Sequence, residues 1–181
     1  MSRPGTTDSR TIGVAIPVPE PFAAELQGWR HSFGDPMAAA IPPHITLMPP
    51  TVVPAGELST VEKHLAEVAA AGEPFRVRLR GTATFRPVSS VVFVALAEGI
   101  SSCEMLSKAV WTGPLPGELS YPYHPHLTVA HDLPDDVLDR AYAQLEDYAA
   151  EFDVSVFSLY EHGADQVWRP RCSFPVGVLD D

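Results

Sequence analysis

The amino-acid sequence predicts an α+β fold made of two similar lobes whose sheets face each other. Segments with strand patterning alternate with segments whose apolar residues recur at helical spacing. In addition, the order helix, His-Thr strand, helix, strand, strand occurs twice along the 181 residues. That length fits one domain, so we expect a single bilobal domain over residues 11–181. The polar opening sequence is expected to form an N-terminal tail over residues 1–10.

The first copy of this order follows a predicted buried strand at residues 11–18, TIGVAIPV. A helix comes next, and its apolar residues on one face are Phe22, Leu26, Trp29 and Phe33. The first His-Thr segment is PPHITLMPP at residues 42–50. A second helix has apolar residues at helical spacing, namely Leu58, Val61, Leu65 and Val68. Strands are predicted at residues 75–85 and 91–97.

The second copy starts with a helix in which Ser101 and Glu104 have the spacing of a capping box. One side of that helix is apolar and consists of Ile100, Cys103, Leu106 and Val110. The second His-Thr segment is HPHLTVAH at residues 124–131. A helix is predicted over residues 132–151, with four residues facing inward, Val137, Ala141, Leu145 and Tyr148. Two strands, at residues 152–162 and 171–178, complete the chain.

Charge and composition exclude several classes of function. The net charge is -11, from 12 Lys and Arg against 23 Asp and Glu, and this field repels a long polyanion. We therefore expect no stable binding to long nucleic acid, although a locally positive site can still bind a small phosphate ester. The apolar runs are too short to span a bilayer, so no membrane association is expected. The two cysteines, Cys103 and Cys172, form no disulfide framework, which favours a cytoplasmic protein. As a separate expectation, the protein is a monomer.

The two His-Thr segments are the candidate functional residues. In a strand, residues i and i+2 point to the same face, so His44 and Thr46 project together, and so do His126 and Thr128. If the lobes are related by a pseudo-twofold axis, the two pairs face each other across one groove. A lone H-x-T in a strand is more often structural than catalytic. Two copies, each preceded by a proline, are a stronger signal.

Paired histidines suit the hydrolysis of a phosphodiester. The reaction needs a base that takes a proton from water and an acid that gives one to the leaving oxygen, and imidazole can hold either state near neutral pH. A threonine hydroxyl beside each imidazole can donate a hydrogen bond to a phosphate oxygen. This chemistry requires neither a metal nor another cofactor, so none is expected.

The tetrapeptides HITL and HLTV resemble the paired H-x-[ST]-x signature of the two-histidine (2H) phosphoesterases, over about residues 11 to 177. The segments are most similar to the branch that contains 2'-5' RNA ligase-like proteins and cyclic nucleotide phosphodiesterases. This resemblance implies antiparallel sheets lining a central groove with helices outside, and metal-independent action on 2',3'-cyclic or 2'-5' phosphodiesters. It also implies that His44 and His126 are the acid and base, that Thr46 and Thr128 bind phosphate, and that the partner is a small nucleotide or RNA end with a cyclic phosphate.

Several further residues allow two interpretations each. Many relatives carry arginine where this chain has His131, so His131 either binds phosphate when it is charged or merely ends its strand. Phe85 and Arg86 either stack on a base and hold its phosphate, or are a core phenylalanine beside an exposed arginine. Trp168 and Arg169 present the same two alternatives.

Basic residues outside the motifs are expected to be less informative. We favour a solvated outer face for the alternating arginines of the strand at 75–85, which are Arg76, Arg78 and Arg80. His31 and His64 are expected to be exposed helix residues, and His162 has no interpretation from sequence.

Three rival functions are weaker. A metal site at His124, His126 and His131, with Asp132 as a further ligand, needs a bend, because His131 has the opposite strand parity to the other two. The two intact His-Thr pairs argue against a non-catalytic nucleotide-binding module. An RNA 2'-5' end ligase would use the same residues in reverse, and the lack of a phosphate-cradling glycine loop argues against ligation driven by ATP.

Overall fold

A computed structural model describes residues 8–115, 117, 119 and 121–177, and eight strands and four α-helices lie within them. The strands are β1 Ser9–Pro17, β2 His44–Pro54, β3 Phe75–Thr84, β4 Val91–Glu98, β5 His126–His131, β6 Ala149–Val154, β7 Val156–His162 and β8 Trp168–Pro175. The helices are α1 Phe22–Ser32, α2 Leu58–Ala71, α3 Ile100–Val110 and α4 Asp135–Gln144, and a short 3-10 turn covers Ala55–Glu57.

The strands form two four-stranded sheets in which every neighbouring pair is antiparallel. Sheet I has the order β2-β1-β7-β8 and sheet II has the order β5-β4-β3-β6. The two strands that carry the His-Thr pairs, β2 and β5, each occupy an edge of their sheet, and they lie next to each other. The predicted α+β class is therefore confirmed. None of the helices in the described ranges is long and apolar enough to cross a bilayer.

Each sheet takes strands from both halves of the chain, which the sequence does not predict. The helix predicted over residues 132–151 ends at Gln144, and the segment predicted as one strand at 152–162 is divided by Ser155. Residues Ala149–Val154 alternate between exposed and buried and pair with β3 in sheet II, whereas β7 pairs with β1 in sheet I. The chain therefore passes from one sheet to the other at Ser155.

Helices cover one face of each sheet. Helices α2 and α3 pack on sheet I, and the face predicted for α2 is buried as expected, at Leu58, Val61, Leu65 and Val68. Helices α1 and α4 pack on sheet II, where Phe22 of α1 lies 6.3 Å from Phe152 between ring centroids. Helix α1 thus follows a strand of sheet I but covers sheet II, which ties the two sheets together.

Three local predictions are wrong. Ser101 and Glu104 form no capping box, since α3 begins at Ile100 after Gly99, whose φ of 96° is favourable only for glycine. His64 is half-buried, because its Nε2 donates a hydrogen bond to the carbonyl oxygen of Val110 at the end of α3. Strand β1 begins at Ser9 and not at residue 11, because residues 9 and 10 already pair with β2. Residues 1–7 of the predicted tail lie outside the described residues.

Both His-Thr strands contain a β-bulge directly after the threonine. Ala15 pairs with Thr46 but Val14 pairs with Met48, so Leu47 is the extra residue in β2. In β5 the extra residue is Val129, because Phe93 pairs with Thr128 but Val92 pairs with Ala130. A bulge shifts the alternation of side chains by one position.

The bulge in β5 corrects the parity predicted for His131. Phe93 and Val91 are two residues apart on β4 and therefore point to the same face, and they pair with Thr128 and His131 respectively. His131 consequently lies on the same face as Thr128, and not on the opposite face. The alternation holds from His126 to Thr128 and changes at Val129.

The bulge in β2 is bonded to a buried hydroxyl group. The carbonyl oxygen of Leu47 accepts a hydrogen bond of 2.7 Å from Oγ of Ser107, a buried residue of α3. Removing that donor leaves a buried carbonyl oxygen without its partner, which carries a desolvation cost.

We expect Ser107→Ala to lower the free energy of unfolding by about 1–3 kcal/mol, the usual cost of a buried polar group that loses its partner. The matched control is Ser101→Ala on the same helix, which should change the free energy by less than about 0.5 kcal/mol because Ser101 is exposed and caps nothing. Urea unfolding of both variants measures the difference. Equal effects of the two substitutions would contradict the role assigned to Ser107.

Candidate active site

The imidazole of His44 is held at the start of β2 by a hydrogen bond and a ring contact. Its Nδ1 lies 2.7 Å from the carbonyl oxygen of Pro42, and because that oxygen only accepts, Nδ1 carries the proton. Its ring lies 4.5 Å from the indole of Trp168 between centroids. Nε2 of the neutral ring is therefore left with a free lone pair.

The imidazole of His126 is held in the same way at the start of β5. Its Nδ1 lies 2.7 Å from the carbonyl oxygen of His124, again two residues earlier in the chain. The ring packs edge-on against Phe85, at 4.9 Å between centroids, and lies 5.1 Å from Phe93. The two histidines thus share one tautomer, with the proton on Nδ1 and the lone pair on Nε2.

A cavity of about 1110 Å³ lies beside these strands. His44, Thr46, Thr128 and His131 all line it, together with Trp168 of β8. His126 is not among the described residues that line the cavity, but it is close enough to His44 for its charge to affect the pKa of His44. The structure therefore brings His44 and both threonines to one groove, with His126 near His44 but outside the residues that line the cavity.

Burial lowers the pKa of both candidate catalytic histidines. The pKa of His44 falls from its usual 6.5 to about 4, mainly because burial disfavours the charged ring and also because Arg30, His126 and His162 are nearby, while the bond to Pro42 opposes the shift. Burial likewise lowers the pKa of His126, and the charge of His124 adds to the effect. In the absence of a ligand, both rings are therefore neutral at neutral pH.

His131 lines the groove at the end of β5. Its Nε2 lies 3.2 Å from Oδ2 of Asp132, and both side chains are more than half exposed, so this pair adds little stability. His131 therefore both ends its strand and lies on the groove wall.

The side chains of Phe85 and Arg86 have different surroundings. Phe85 packs against His126 and Phe93, at 4.5 Å from the Phe93 centroid, and so forms part of the wall behind the imidazole. The guanidinium of Arg86 turns toward α4, where its Nη1 lies 2.9 Å from Oδ1 of Asp139. Arg86 is therefore engaged by a protein carboxylate and does not line the groove.

The side chains of Trp168 and Arg169 also have different surroundings. Trp168 lines the groove and lies between two histidine rings, at 4.5 Å from His44 and 4.2 Å from His162. Arg169 forms an exposed ion pair of 2.7 Å with Asp165. The arginines of β3 stay outside the groove as expected, since Arg76 and Arg78 both pair with Glu151 on an exposed surface.

Three residues of the site had no interpretation from sequence. Arg30 of α1 is buried and lines the groove, and His162 of β7 lies on the groove wall with its pKa lowered by burial. The hydroxyl of Tyr123 donates a hydrogen bond of 2.8 Å to the carbonyl oxygen of Thr46, so it links the segment before β5 to β2. No local pattern identifies these residues, because each reaches the site through the folding of distant segments.

The histidine cluster considered as a metal site does not form one. Within the described ranges, no three His, Cys, Asp or Glu side chains are grouped so as to hold a metal ion. His124 and His126 have ring centroids 6.2 Å apart, and Nδ1 of His126 is already occupied by a backbone carbonyl.

Comparison with known proteins identifies the family. The sequence pattern of the 2'-5' RNA ligase superfamily matches residues 18–166. This chain belongs to the 2'-5' RNA ligase superfamily, the two-histidine phosphoesterases. The family predicted from the paired H-x-T motifs is therefore confirmed.

The names of similar proteins indicate what kind of enzyme this superfamily member is. A protein of Bacillus cytotoxicus is 29% identical over 170 residues, which are 92% of this chain and 96% of the relative. A protein of Halalkalibacterium halodurans is 31% identical over 134 residues, or 74% of this chain and 77% of the relative. Both carry the name "Putative phosphoesterase". The member described here is accordingly an enzyme of the phosphoesterase kind.

Solved structures share the fold of this superfamily member. LigT of E. coli, complexed with 3'-AMP, has a TM-score of 0.67 at 16% identity and covers 93% of this chain and 99% of its own. TT0787 of Thermus thermophilus has a TM-score of 0.65 at 22% identity, covering 92% and 98%. At these identities the likeness extends to the fold.

The lowered pKa of His44 predicts a pH-dependent stability. The unfolded chain binds a proton at His44 as the pH falls below 6.5, whereas the folded protein resists protonation down to about 4, so the contribution of this group is present above 6.5 and lost as the pH falls toward 4. We expect the stability of the parent protein to decrease by about 2 kcal/mol more than that of His44→Gln between about pH 7.5 and about pH 4.5.

Urea unfolding at the two pH values measures this difference. The matched control is His31→Gln, because His31 is exposed on α1 and its loss should leave the pH dependence of the parent protein intact. The same loss of stability in the parent protein and in His44→Gln would show that His44 does not carry the effect.

Proposed function

We propose that this protein hydrolyses 2',3'-cyclic or 2'-5' phosphodiester bonds of nucleotides or RNA ends, without a metal, by acid-base catalysis between His44 and His126. The observation that carries the proposal is the shared tautomer of the two imidazoles. Each donates Nδ1–H to the carbonyl two residues upstream, at 2.7 Å, which leaves Nε2 for the substrate. Two equivalent imidazoles on neighbouring edge strands suit attack and departure on opposite sides of one phosphorus.

The proposed reaction has two proton transfers, one from water to a histidine and one from the other histidine to the leaving oxygen. The neutral histidine accepts a proton on Nε2 from water as the water oxygen bonds to phosphorus. The protonated histidine donates its Nε2 proton to the ribose oxygen as the bond from that oxygen to phosphorus breaks. The products are a phosphate monoester and a free hydroxyl group, and exchange with solvent returns both rings to their starting states.

Binding of the substrate supplies the protonated histidine. Both rings are neutral in the ligand-free protein because burial lowers their pKa values. A phosphate anion beside them stabilises an imidazolium, so it raises the pKa of the ring that it contacts. The hydroxyls of Thr46 and Thr128, which line the same groove, would donate hydrogen bonds to the non-bridging oxygens.

Groove size and charge support a small substrate. A volume of about 1110 Å³ accommodates a nucleotide or a dinucleotide. The net charge of -11 opposes long nucleic acid, whereas the hydroxyls of Thr46 and Thr128 and the imidazole of His131 offer local contacts to a small phosphate ester. LigT, which shares the fold, has been solved with 3'-AMP, NADP+ and ATP.

The alternative functions differ from this proposal in their products. An RNA 2'-5' end ligase would place a 5'-hydroxyl of RNA where water attacks, and would join two ends. A non-catalytic module would bind the nucleotide and release it unchanged. Incubation of the protein with a 2',3'-cyclic nucleotide, and separately with RNA carrying a cyclic phosphate end and a 5'-hydroxyl end, distinguishes the three by product analysis.

We expect His44→Ala and His126→Ala each to lower kcat on 2',3'-cyclic AMP by roughly 10² to 10⁴, the usual contribution of one proton transfer. The double variant should be little slower than either single variant, because the two rings act as a unit. The matched control His31→Ala removes an exposed histidine and should keep the parent rate.

Two further observations decide the mechanism. The parent rate should be unchanged in excess EDTA, because no metal ligand set is grouped within the described part of the chain. Near-normal turnover by a folded His44 or His126 variant would contradict the paired mechanism, and loss of activity in EDTA that zinc restores would contradict metal independence.

We expect His131→Arg to lower KM mainly at alkaline pH, because an imidazolium loses its charge as the pH rises whereas a guanidinium keeps it. The pH dependence of KM should become flatter, while the bell-shaped dependence of kcat stays nearly unchanged because His131 transfers no proton. Steady-state kinetics from acidic to alkaline pH measure both quantities.

The control His31→Arg adds the same charge outside the groove and separates a local contact from the effect of net charge. A KM that is independent of pH in the parent protein, and that His131→Arg leaves unaltered, would show that His131 only ends its strand.

A further inference from the structure

Arg30 is a buried charge beside His44. Only 6% of the residue is exposed, and it projects from the last turn of α1 toward the groove. Its Nε and Nη2 both donate to Oδ2 of Asp35, at 3.0 and 2.9 Å. A buried ion pair of this kind requires good geometry to offset the cost of desolvation.

The two remaining bonds of this ion pair hold a backbone segment. The segment 35–43 lies in the connection between α1 and β2, and it ends at the residue before His44. Nη1 of Arg30 donates to the carbonyl oxygen of Ile41, and Oδ1 of Asp35 accepts from the backbone N–H of Met37 at 2.9 Å. The ion pair thus holds both ends of the segment that leads into the catalytic strand.

Other bonds secure the middle of the same segment. Nε2 of Gln27 donates to the carbonyl oxygen of Ala38 at 2.8 Å, and the backbone N–H of Trp168 donates to the carbonyl oxygen of Ala40 at 3.0 Å. The second bond anchors the first residue of β8, whose indole lies against the His44 ring. The segment is therefore tied to α1 on one side and to β8 on the other.

The acceptor of the His44 Nδ1 proton belongs to this segment. It is the carbonyl oxygen of Pro42, the residue directly after Ile41. The position of Ile41 consequently determines where the Pro42 carbonyl lies, and that carbonyl determines which imidazole nitrogen carries the proton. The acceptor of the His126 proton belongs to the exposed residue His124, and among the described residues no buried ion pair holds the segment before it, where the hydroxyl of Tyr123 bonds to the carbonyl oxygen of Thr46.

We propose that Arg30 is a positioning residue for His44, and that with Asp35 it clamps segment 35–43 so that His44 stays neutral and presents Nε2 to the substrate. The proposal deepens the proposed function and rests on it for the catalytic role of His44. Arg30 acts through the backbone and through its charge, and it takes no part in proton transfer.

The charges that face His44 are consistent with this role. Arg30 and Asp35 approach from α1 and segment 35–43, His126 from β5, and His162 from β7. Burial is the main reason for the lowered pKa of His44, and Arg30 is the first of the charged neighbours that add to it. Loss of the clamp would expose the ring and remove a cation, and both changes raise the pKa of His44.

Nitrogen NMR of histidines in the ligand-free protein tests the clamp without reference to activity. The test variant is Arg30→Met with Asp35→Leu, which removes both charges and leaves neither one buried alone. In the parent protein we expect His44 as the Nδ1–H tautomer with a titration midpoint near 4. In the variant we expect a mixture of tautomers and a midpoint moved toward 6.5, with the signals of His126 unchanged as an internal control.

A folded double variant in which the tautomer and midpoint of His44 match those of the parent would overturn the proposal. If the double variant does not fold, Arg30→Lys decides in its place, because lysine keeps the charge but cannot form the fork to Asp35 and Ile41 together. A tautomer mixture at His44 in Arg30→Lys supports the clamp, and an unchanged tautomer overturns it.

Kinetics then separate the clamp from the proposed function. The folded variant should lose about tenfold or more in kcat on 2',3'-cyclic AMP, because a misplaced catalytic group slows the reaction, and its pH optimum for kcat/KM should move upward. If the NMR changes occur but the parent protein hydrolyses no cyclic phosphate, the clamp stands and the proposed function fails. If the parent is active and the NMR signals of His44 do not change, the clamp fails and the proposed function stands.

Discussion

One hydrogen bond, made twice, underlies the candidate active site. Each imidazole donates Nδ1–H to a backbone carbonyl two residues earlier, just before its strand begins. This bond fixes the ring orientation and the tautomer together, and its acceptor is a main-chain atom, so its position depends on how the segment before the strand is held. The two bonds lie at the starts of β2 and β5, the neighbouring edge strands whose residues line the groove.

The motif residues are predictable because a strand alternates its side chains with a period of two. That rule correctly places His44 with Thr46 and His126 with Thr128, and it fails at His131 because one extra residue, Val129, changes the alternation. No local pattern in the sequence of β5 predicts a bulge. The bulge depends on pairing with β4, which lies about 35 residues earlier in the chain.

Other errors have the same physical origin. The segment that starts at Ala149 is predicted as the end of a helix because its local composition allows one, yet it forms β6 by pairing with β3. Arg30 cannot be recognised from sequence as a buried residue, because its burial requires the carboxylate of Asp35 and the carbonyl of Ile41 in positions set by the folded segment. Local periodicity is sufficient for most elements, and contacts between distant segments decide the rest.

The edge positions of β2 and β5 have a consequence for solubility. Edge strands with free N–H and C=O groups invite pairing with other chains, which leads to aggregation. β2 contains a bulge and the prolines Pro49, Pro50 and Pro54, none of which has an N–H to offer, and β5 contains a bulge of its own. β2 and β5 lie next to each other but belong to separate four-stranded sheets, so the bulges and prolines at these two edges reduce the number of backbone groups that could pair with another chain.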